Sequence, residues 1–248
     1  MVAKFLALGD TAFSVEFGRG VDPEVNARVR GLNAALHELR ARGGLEGVVE
    51  TIPSFRALLV LYDPLVTARA ELEAAVRPLV EEGRRAEAEG ALWRLPVCYG
   101  GEFGPDLGEV AERTGLTPER VVGLHAGATF TVYMLGFMPG LAYMGGLPRE
   151  LHLPRRSNPR TRLPAGSVAI ATELSIVYPW ESPGGWHLLG RTPVRMFDPR
   201  HEERPVLLAP GDRVRFVPQA REEFEEVSRA VAADAFDARS LREGEAPS

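Results

Sequence analysis

The spacing of apolar positions divides the chain into short alternating stretches and longer stretches of helical period. Residues 4–9 and 11–17 read as two strands joined by the turn signal Gly9-Asp10. Val25, Val29, Leu32, Leu36 and Leu39 then recur at helical spacing. Asp22 and Pro23 suit the cap and first position of that helix, and Gly43-Gly44 stops it after about Arg42. Residues 48–52 and 57–62 read as strands joined through Ser54-Phe55-Arg56 as a hairpin, with Asp63-Pro64 closing the pair. A second helix is predicted over 67–89, with Leu72, Val76, Leu79 and Val80 inward and Pro78 as a point of kinking. The order ββαββα predicts a small α+β sandwich over residues 1–90, one sheet carrying two helices. Glu81 to Glu89 alternates acidic and arginine residues, which suits a solvated helix end leading to a boundary near Gly90.

From residue 91 the pattern changes. Leu92 to Tyr99 reads as a strand, Asp106 with Glu109 resembles a capping box for a helix ending at Gly115, and Thr117-Pro118 starts another that ends near His125. Residues 127–135 are strand-like. Further short strands follow at 167–171, 175–178, 186–189 and 214–217, punctuated by Gly and Pro as in a closed or nearly closed barrel spanning 91–248. Residues 220–232 suit a helix, and the chain after about Arg242 reads as a loose tail.

The central stretch from Tyr133 to Pro148 holds four glycines and two prolines in sixteen residues. Helix is disfavoured from Gly136 to Pro148, which leaves a packed loop of apolar side chains on a bent backbone. Such a loop either lies over the core or lines a pocket, where Tyr133, Phe137, Pro139 and Gly140 would face a ligand. A second stretch, 153–167, places four arginines in eight residues: Arg155, Arg156, Arg160 and Arg162. Guanidinium forks match carboxylate or phosphate, so Arg156 and Arg160, with Ala165, Gly166 and Ser167 adding backbone donors, form a candidate anion site. The alternative is a solvated basic loop, or one paired with acidic residues of a neighbouring protomer. A third stretch, Ser182 to Trp186, brings Gly184, Gly185 and the flat wall of Trp186, and Tyr178 precedes it. Three bends of one type suit a shared mouth of the barrel.

Composition narrows the chemistry. A net charge of -5 over 248 residues argues against nucleic acid as the main partner. No apolar run reaches membrane-spanning length, and the first residues lack a signal-peptide pattern. Cys98 is the single cysteine, so no internal disulfide forms, which fits a reducing cytoplasm; between apolar neighbours it reads as a buried, inert thiol. Lys4 is the only lysine and Gln219 the only glutamine, a bias that suits either a heat-adapted host or a GC-rich genome. The histidines His37, His125, His152, His187 and His201 show no zinc-ligand spacing, so no metal is predicted. His37 falls on the surface of the first helix. His125, at a helix end before the central strand, complements the helix dipole or serves as a pocket acid or base. No phosphate-binding loop of the G-x-x-x-x-G-K-[ST] type and no G-x-S-x-G elbow occurs.

Taken together, Gly136-Phe137-Met138-Pro139-Gly140-Leu141-Ala142-Tyr143-Met144-Gly145-Gly146, Pro154-Arg155-Arg156, Pro164-Ala165-Gly166-Ser167, Val177-Tyr178-Pro179, Ser182-Pro183-Gly184-Gly185-Trp186, Gly190-Arg191-Thr192-Pro193 and Pro210-Gly211-Asp212 resemble the KipI/PxpB family. Cys98 to Leu107 and Gly9-Asp10 near the N-terminus match as well, so the resemblance covers nearly the whole chain. It implies a cyclophilin-like barrel as the second domain and likeness to one half of a urea carboxylase carboxyltransferase domain. Members also carry the label allophanate hydrolase subunit 1. The implied role is the B subunit of an ATP-dependent 5-oxoprolinase, which opens the lactam of 5-oxoproline to glutamate with A-type and C-type subunits. Two other roles are implied by parts of the family: a module that inhibits a histidine kinase, and a urea or amide carboxyltransferase component whose carboxybiotin arrives on another protein. One departure stands out. Leu174 occupies the position where the family pattern leads us to expect glutamine.

Overall fold

The computed structural model describes residues 3–86, 90–202 and 204–243. The chain divides into two compact units, 1–89 and 90–248. In the first, β1 (Lys4–Ala7), β2 (Ala12–Glu16), β3 (Val48–Pro53) and β4 (Ala57–Tyr62) form an antiparallel sheet in the order β1-β2-β4-β3. Helix α1 (Pro23–Ala41) starts where the Asp22 carboxylate accepts the N–H groups of Glu24 and Val25. Helix α2 (Arg69–Glu82) starts where Glu71 reaches back to the Ala68 N–H at 3.1 Å. Phe13 and Val15 of β2, Leu58 and Val60 of β4, Leu32 of α1 and Val76 of α2 share one core.

The second helix ends earlier than its spacing predicts. Gly83 takes a left-handed φ of 69° and closes it at Glu82, seven residues short of Glu89, and the helix continues through Pro78 without interruption. Residues 87–89 and 244–248, where a linker and a loose tail are expected, lie outside the described residues.

In the second unit β5 (Leu92–Tyr99) is followed by α3 (Leu107–Thr114) and α4 (Pro118–Gly127). Next come β6 (Phe130–Leu135), β7 (Ala142–Gly145), β8 (Arg160–Leu163), β9 (Ser167–Ala171), β10 (Leu174–Val177), β11 (Ser182–Gly184), β12 (His187–Arg191), β13 (Arg213–Pro218) and α5 (Arg221–Ala232). Among the described residues seven strands close into a barrel in the order β10-β7-β6-β13-β5-β12-β9, with β9 pairing back onto β10. Only β13 and β5 in that ring run parallel. Leu95, Val97, Phe130, Met144, Ile170 and Phe216 belong to its core. Strands β8 and β11 form a separate two-stranded ribbon.

The central stretch is only partly a loop. Ala142–Gly145 is a barrel strand, paired antiparallel with β6 on one side and β10 on the other. Glycine is required there by a close approach. Opposite it, β6 carries a bulge at Tyr133, whose ring lies 2.1 Å from where a Cβ on Gly145 would stand. Composition reads such a segment as loop because the reason for its glycine sits on the neighbouring strand.

Candidate functional site

The arginine-rich loop does not hold its charge free. Asp106 is 2% exposed and stands before α3. Its carboxylate does not cap that helix, as the sequence suggests. It receives Arg160 through both forks, Nη1 to Oδ2 at 2.8 Å and Nη2 to Oδ1 at 2.5 Å. It also accepts Arg156 Nη1 at 3.1 Å and the Leu188 backbone N–H at 2.8 Å. Burial raises the Asp106 pKa, but the hydrogen bonds from Arg160 and Leu188 and the charges of both arginines outweigh it, so the net shift is downward. Arg156 also donates to Glu109, which holds that carboxyl below its ordinary value. Arg156 and Arg160 are therefore structural cations that staple the loop to the start of α3. Arg162 pairs with Glu181 at 2.7 Å. Among the described residues, only Arg155 of the four lacks an acidic partner.

The stapled loop frames a cluster of rings. The Arg156 N–H donates to the Gly185 carbonyl at 2.8 Å, and Pro159 packs beside Gly185, so the Arg-rich loop lies against the Ser182–Trp186 bend. The exposed Arg155 guanidinium sits 5.5 Å from the Trp186 ring centre, in cation–π range. Tyr143 of β7 faces the same indole with 6.1 Å between ring centres. Tyr178 brings its hydroxyl so close to Gly184 that a Cβ there would stand 2.3 Å from it. Burial, with Tyr143 adding and Arg155 opposing, pushes the Tyr178 phenol up to about 12. Burial likewise raises Tyr143, with Arg155 opposing. Both phenols are therefore neutral donors at physiological pH beside the Arg155 cation.

These contacts bring together Arg156, Arg160, Tyr178, Gly184, Gly185 and Trp186 from the sequence-predicted set, and add Arg155, Tyr143 and Asp106. Of the other predicted residues, Gly166 and Ser167 also touch this cluster, through backbone bonds to Tyr178. Tyr133 is buried over Gly145 in the barrel wall. Phe137, Pro139 and Gly140 belong to a turn whose Gly140 packs on Met196 and Phe197. Phe137 is 71% exposed at a left-handed φ of 69°, a strained conformation for a bulky residue. Phe197 also meets Trp180, which is 43% exposed, with the two rings tilted and their centres 5.6 Å apart. Ala165, Gly166 and Ser167 form a turn in which the Gly166 and Ser167 N–H groups are already engaged. Gly166 N–H donates to Tyr178 O at 2.7 Å, Ser167 N–H and Oγ donate to Pro164 O, and Ala165 O accepts Arg191 Nε at 2.9 Å. They hold Tyr178 in place, and the Gly166 and Ser167 donors are spent on the protein's own carbonyls.

His125 is sealed inside the barrel unit at 0% exposure. Its ring stacks on Phe216 and lies near Phe130, with centres 4.7 and 5.0 Å away. Ser175 Oγ donates to the Ala169 carbonyl at 3.3 Å. His125 Nε2–H therefore donates to Ser175 at 3.0 Å, and its Nδ1 accepts the Tyr99 hydroxyl at 2.8 Å. Burial lowers its pKa to about 3, so the ring is neutral and does not complement the helix dipole. With both nitrogens engaged and no solvent face, it has no route to a reacting group. Leu174 is 5% exposed on β10, where it pairs with Gly145 and Ala171, so an apolar residue there suits this barrel wall. Cys98 is a buried free thiol whose pKa burial raises. Among the described residues no group of three or more His, Cys, Asp and Glu is placed to hold a metal ion.

The carboxyltransferase domain family, subdomain C and D, matches residues 3–208. The B subunit of 5-oxoprolinase from Bacillus subtilis (strain 168) is 39% identical over 224 residues, which is 85% of this chain and 90% of the relative. That of Escherichia coli O157:H7 is 41% identical over 218 residues, 88% of this chain and 96% of the relative. The solved structure of TTHA0988 is similar over 84% of this chain at 40% identity and a TM-score of 0.74, while this chain spans 40% of that longer one. The urea amidolyase of K. lactis shares the fold over 95% of this chain and 16% of its own, with a TM-score of 0.79 at 21% identity. The chain thus belongs to the carboxyltransferase-domain family, subdomain C and D, within the group of 5-oxoprolinase B subunits also called KipI/PxpB.

Proposed function

We propose that this chain is the B subunit of an ATP-dependent 5-oxoprolinase, acting with A-type and C-type subunits to open the lactam of 5-oxoproline to glutamate. The observation that carries this reading is the placement of the Arg155 guanidinium, without an acidic partner among the described residues, over Trp186 and near enough to Tyr143 and Tyr178 for its charge to act on both phenols. A small lactam carrying a carboxylate fits that chemistry. The exposed Arg155 takes the carboxylate and the half-buried Tyr143 offers its ring to the lactam, while Trp186 and Tyr178, both buried, hold that pair in position. Names of relatives at 39% and 41% identity support the same substrate class.

Neutral amides are poor electrophiles, and ATP supplied with the partner chains activates the amide oxygen by phosphorylation. This chain has no phosphate-binding loop of its own, so the site is assigned to a hetero-complex. The exposed Phe137 and the exposed Trp180, the latter beside Phe197, offer apolar side chains to a partner. The need for ATP suits a cytoplasmic complex under this reading. Co-purification with A-type and C-type subunits is expected to give glutamate from 5-oxoproline only when all three chains and ATP are present. No glutamate from the complete set overturns the proposal.

The fold shared with urea amidolyase favours a second reading, an amide carboxyltransferase component. That reading predicts dependence on a biotinylated carrier and inhibition by avidin, which the 5-oxoprolinase reading does not.

A further inference from the structure

A cleft of about 630 Å³ opens between the stretches 195–201 and 204–207 and the end of α5. That volume falls in the range of small-molecule pockets. The cleft shares no residue with the Trp186 cluster. One of its walls, 231–239, lies beyond the residues that the family match covers. Trp93, Val206, Leu207, Val231 and Phe236 supply apolar lining. The indole N–H of Trp93 is satisfied by Asp212 Oδ2 at 2.9 Å, which fixes the ring.

The charges around this lining divide into two sets. Arg195 bonds Asp234 at 2.7 Å and Asp198 at 3.4 Å, and Arg200 bonds Asp198 at 2.8 Å through Nε and pairs with Asp234. This lattice is self-neutralising, and it ties the 195–200 segment to Asp234, which holds a left-handed φ of 54° after α5. It gives the cleft a fixed rim. The second set is Arg204 and Arg239. Among the described residues neither side chain has a carboxylate partner, and the third aspartate, Asp237, accepts the Arg239 backbone N–H at 2.9 Å. The cleft therefore combines an apolar lining with two unspent guanidinium groups, and His201 stands beside them.

We infer that this cleft binds a small organic anion, its apolar body against Trp93 and Phe236 and its carboxylate, sulfonate or phosphate on Arg204 and Arg239. Such a ligand is separate from the lactam of the Trp186 cluster, so its binding can fail without touching that assignment.

The test uses anilinonaphthalene sulfonate as probe, with phenylnaphthylamine as its uncharged counterpart. Amide shifts on adding the sulfonate to the labelled full chain are expected to map to Val231–Arg239 and Val206–Leu207. The double variant R204Q/R239Q is expected to weaken the sulfonate by at least about tenfold while leaving the uncharged probe unchanged. Both arginines are exposed, and an unchanged thermal midpoint verifies that the variant folds. Equal sulfonate affinity in the variant and the natural chain, or shifts confined to residues outside the cleft, overturns the inference.

Discussion

Replacing Asp106 by asparagine is expected to lower the unfolding free energy of the barrel unit by about 3–5 kcal/mol. The carboxylate is buried and receives four hydrogen bonds, two from Arg160, one from Arg156 and one from the Leu188 backbone. Asparagine keeps one acceptor oxygen and turns an N–H₂ group toward a guanidinium. It also leaves two partly buried arginines without their counter-charge, and that unpaired charge is the larger penalty. For a chain of this size each kcal/mol shifts the melting midpoint by roughly 2–4 °C, so a fall on the order of 10 °C is expected. Urea unfolding and thermal melting both measure it. A loss below about 1 kcal/mol would show that the arginines find water or another partner as readily as Asp106. The same variant should loosen the Arg156–Gly185 contact and so disturb the seat of Trp186.

Acid is expected to destabilise the barrel through His125. In the unfolded chain its ring takes a proton near the ordinary value of 6.5, whereas burial in the folded state lowers that value to about 3. Between the two values the unfolded state binds one more proton than the folded state. Stability is therefore fully present above about pH 6.5, falls as pH drops, and has lost this contribution entirely below about pH 3. The limiting loss is about 5 kcal/mol, at about 1.4 kcal/mol per pH unit in the middle of the window. Glutamine can accept from Tyr99 and donate to Ser175 without titrating. His125→Gln should thus flatten the stability profile between about pH 6.5 and pH 4.5, above the range where carboxylates protonate. Parallel profiles for the two chains would contradict the assignment. Tyr99 sets the opposite limit. Burial raises its pKa, so the folded state keeps its proton longer, and stability is lost as pH rises above the unfolded phenol value of about 10.

Much of the secondary structure is legible in the sequence because it rests on local signals. Asp22-Pro23, the leucines of α1 and the apolar run of β4 each declare their element within a few residues. Strand β7 is not legible, because its glycine answers to Tyr133 across the sheet rather than to its own neighbours. The ribbon of β8 and β11 is hidden for a similar reason. Its register joins Arg160 to Gly184, and proline and glycine mask the pairing.

The site follows the same division. The motifs around Trp186 mark the right bends, but a run of arginines does not say which of them are spent. Asp106 lies some fifty residues before Arg156 and Arg160 and looks like an ordinary helix cap, so its claim on both is visible only in the fold. Arg155 emerges by what its neighbours do. His125 shows the reverse case. Its position at the end of α4 suggests solvent or a pocket, yet β5, β6, β10 and β13 close around it.

The most direct test of the Arg155 assignment is steady-state turnover of 5-oxoproline by the full hetero-complex carrying Arg155→Gln in this chain. Loss of one charge-assisted contact to the substrate carboxylate is expected to raise KM by about tenfold to a hundredfold with kcat changed little. Arg155→Lys should recover part of that loss, since the charge returns without the fork. Unchanged KM in the glutamine variant would contradict the account and leave the Trp186 cluster without a role in holding the substrate.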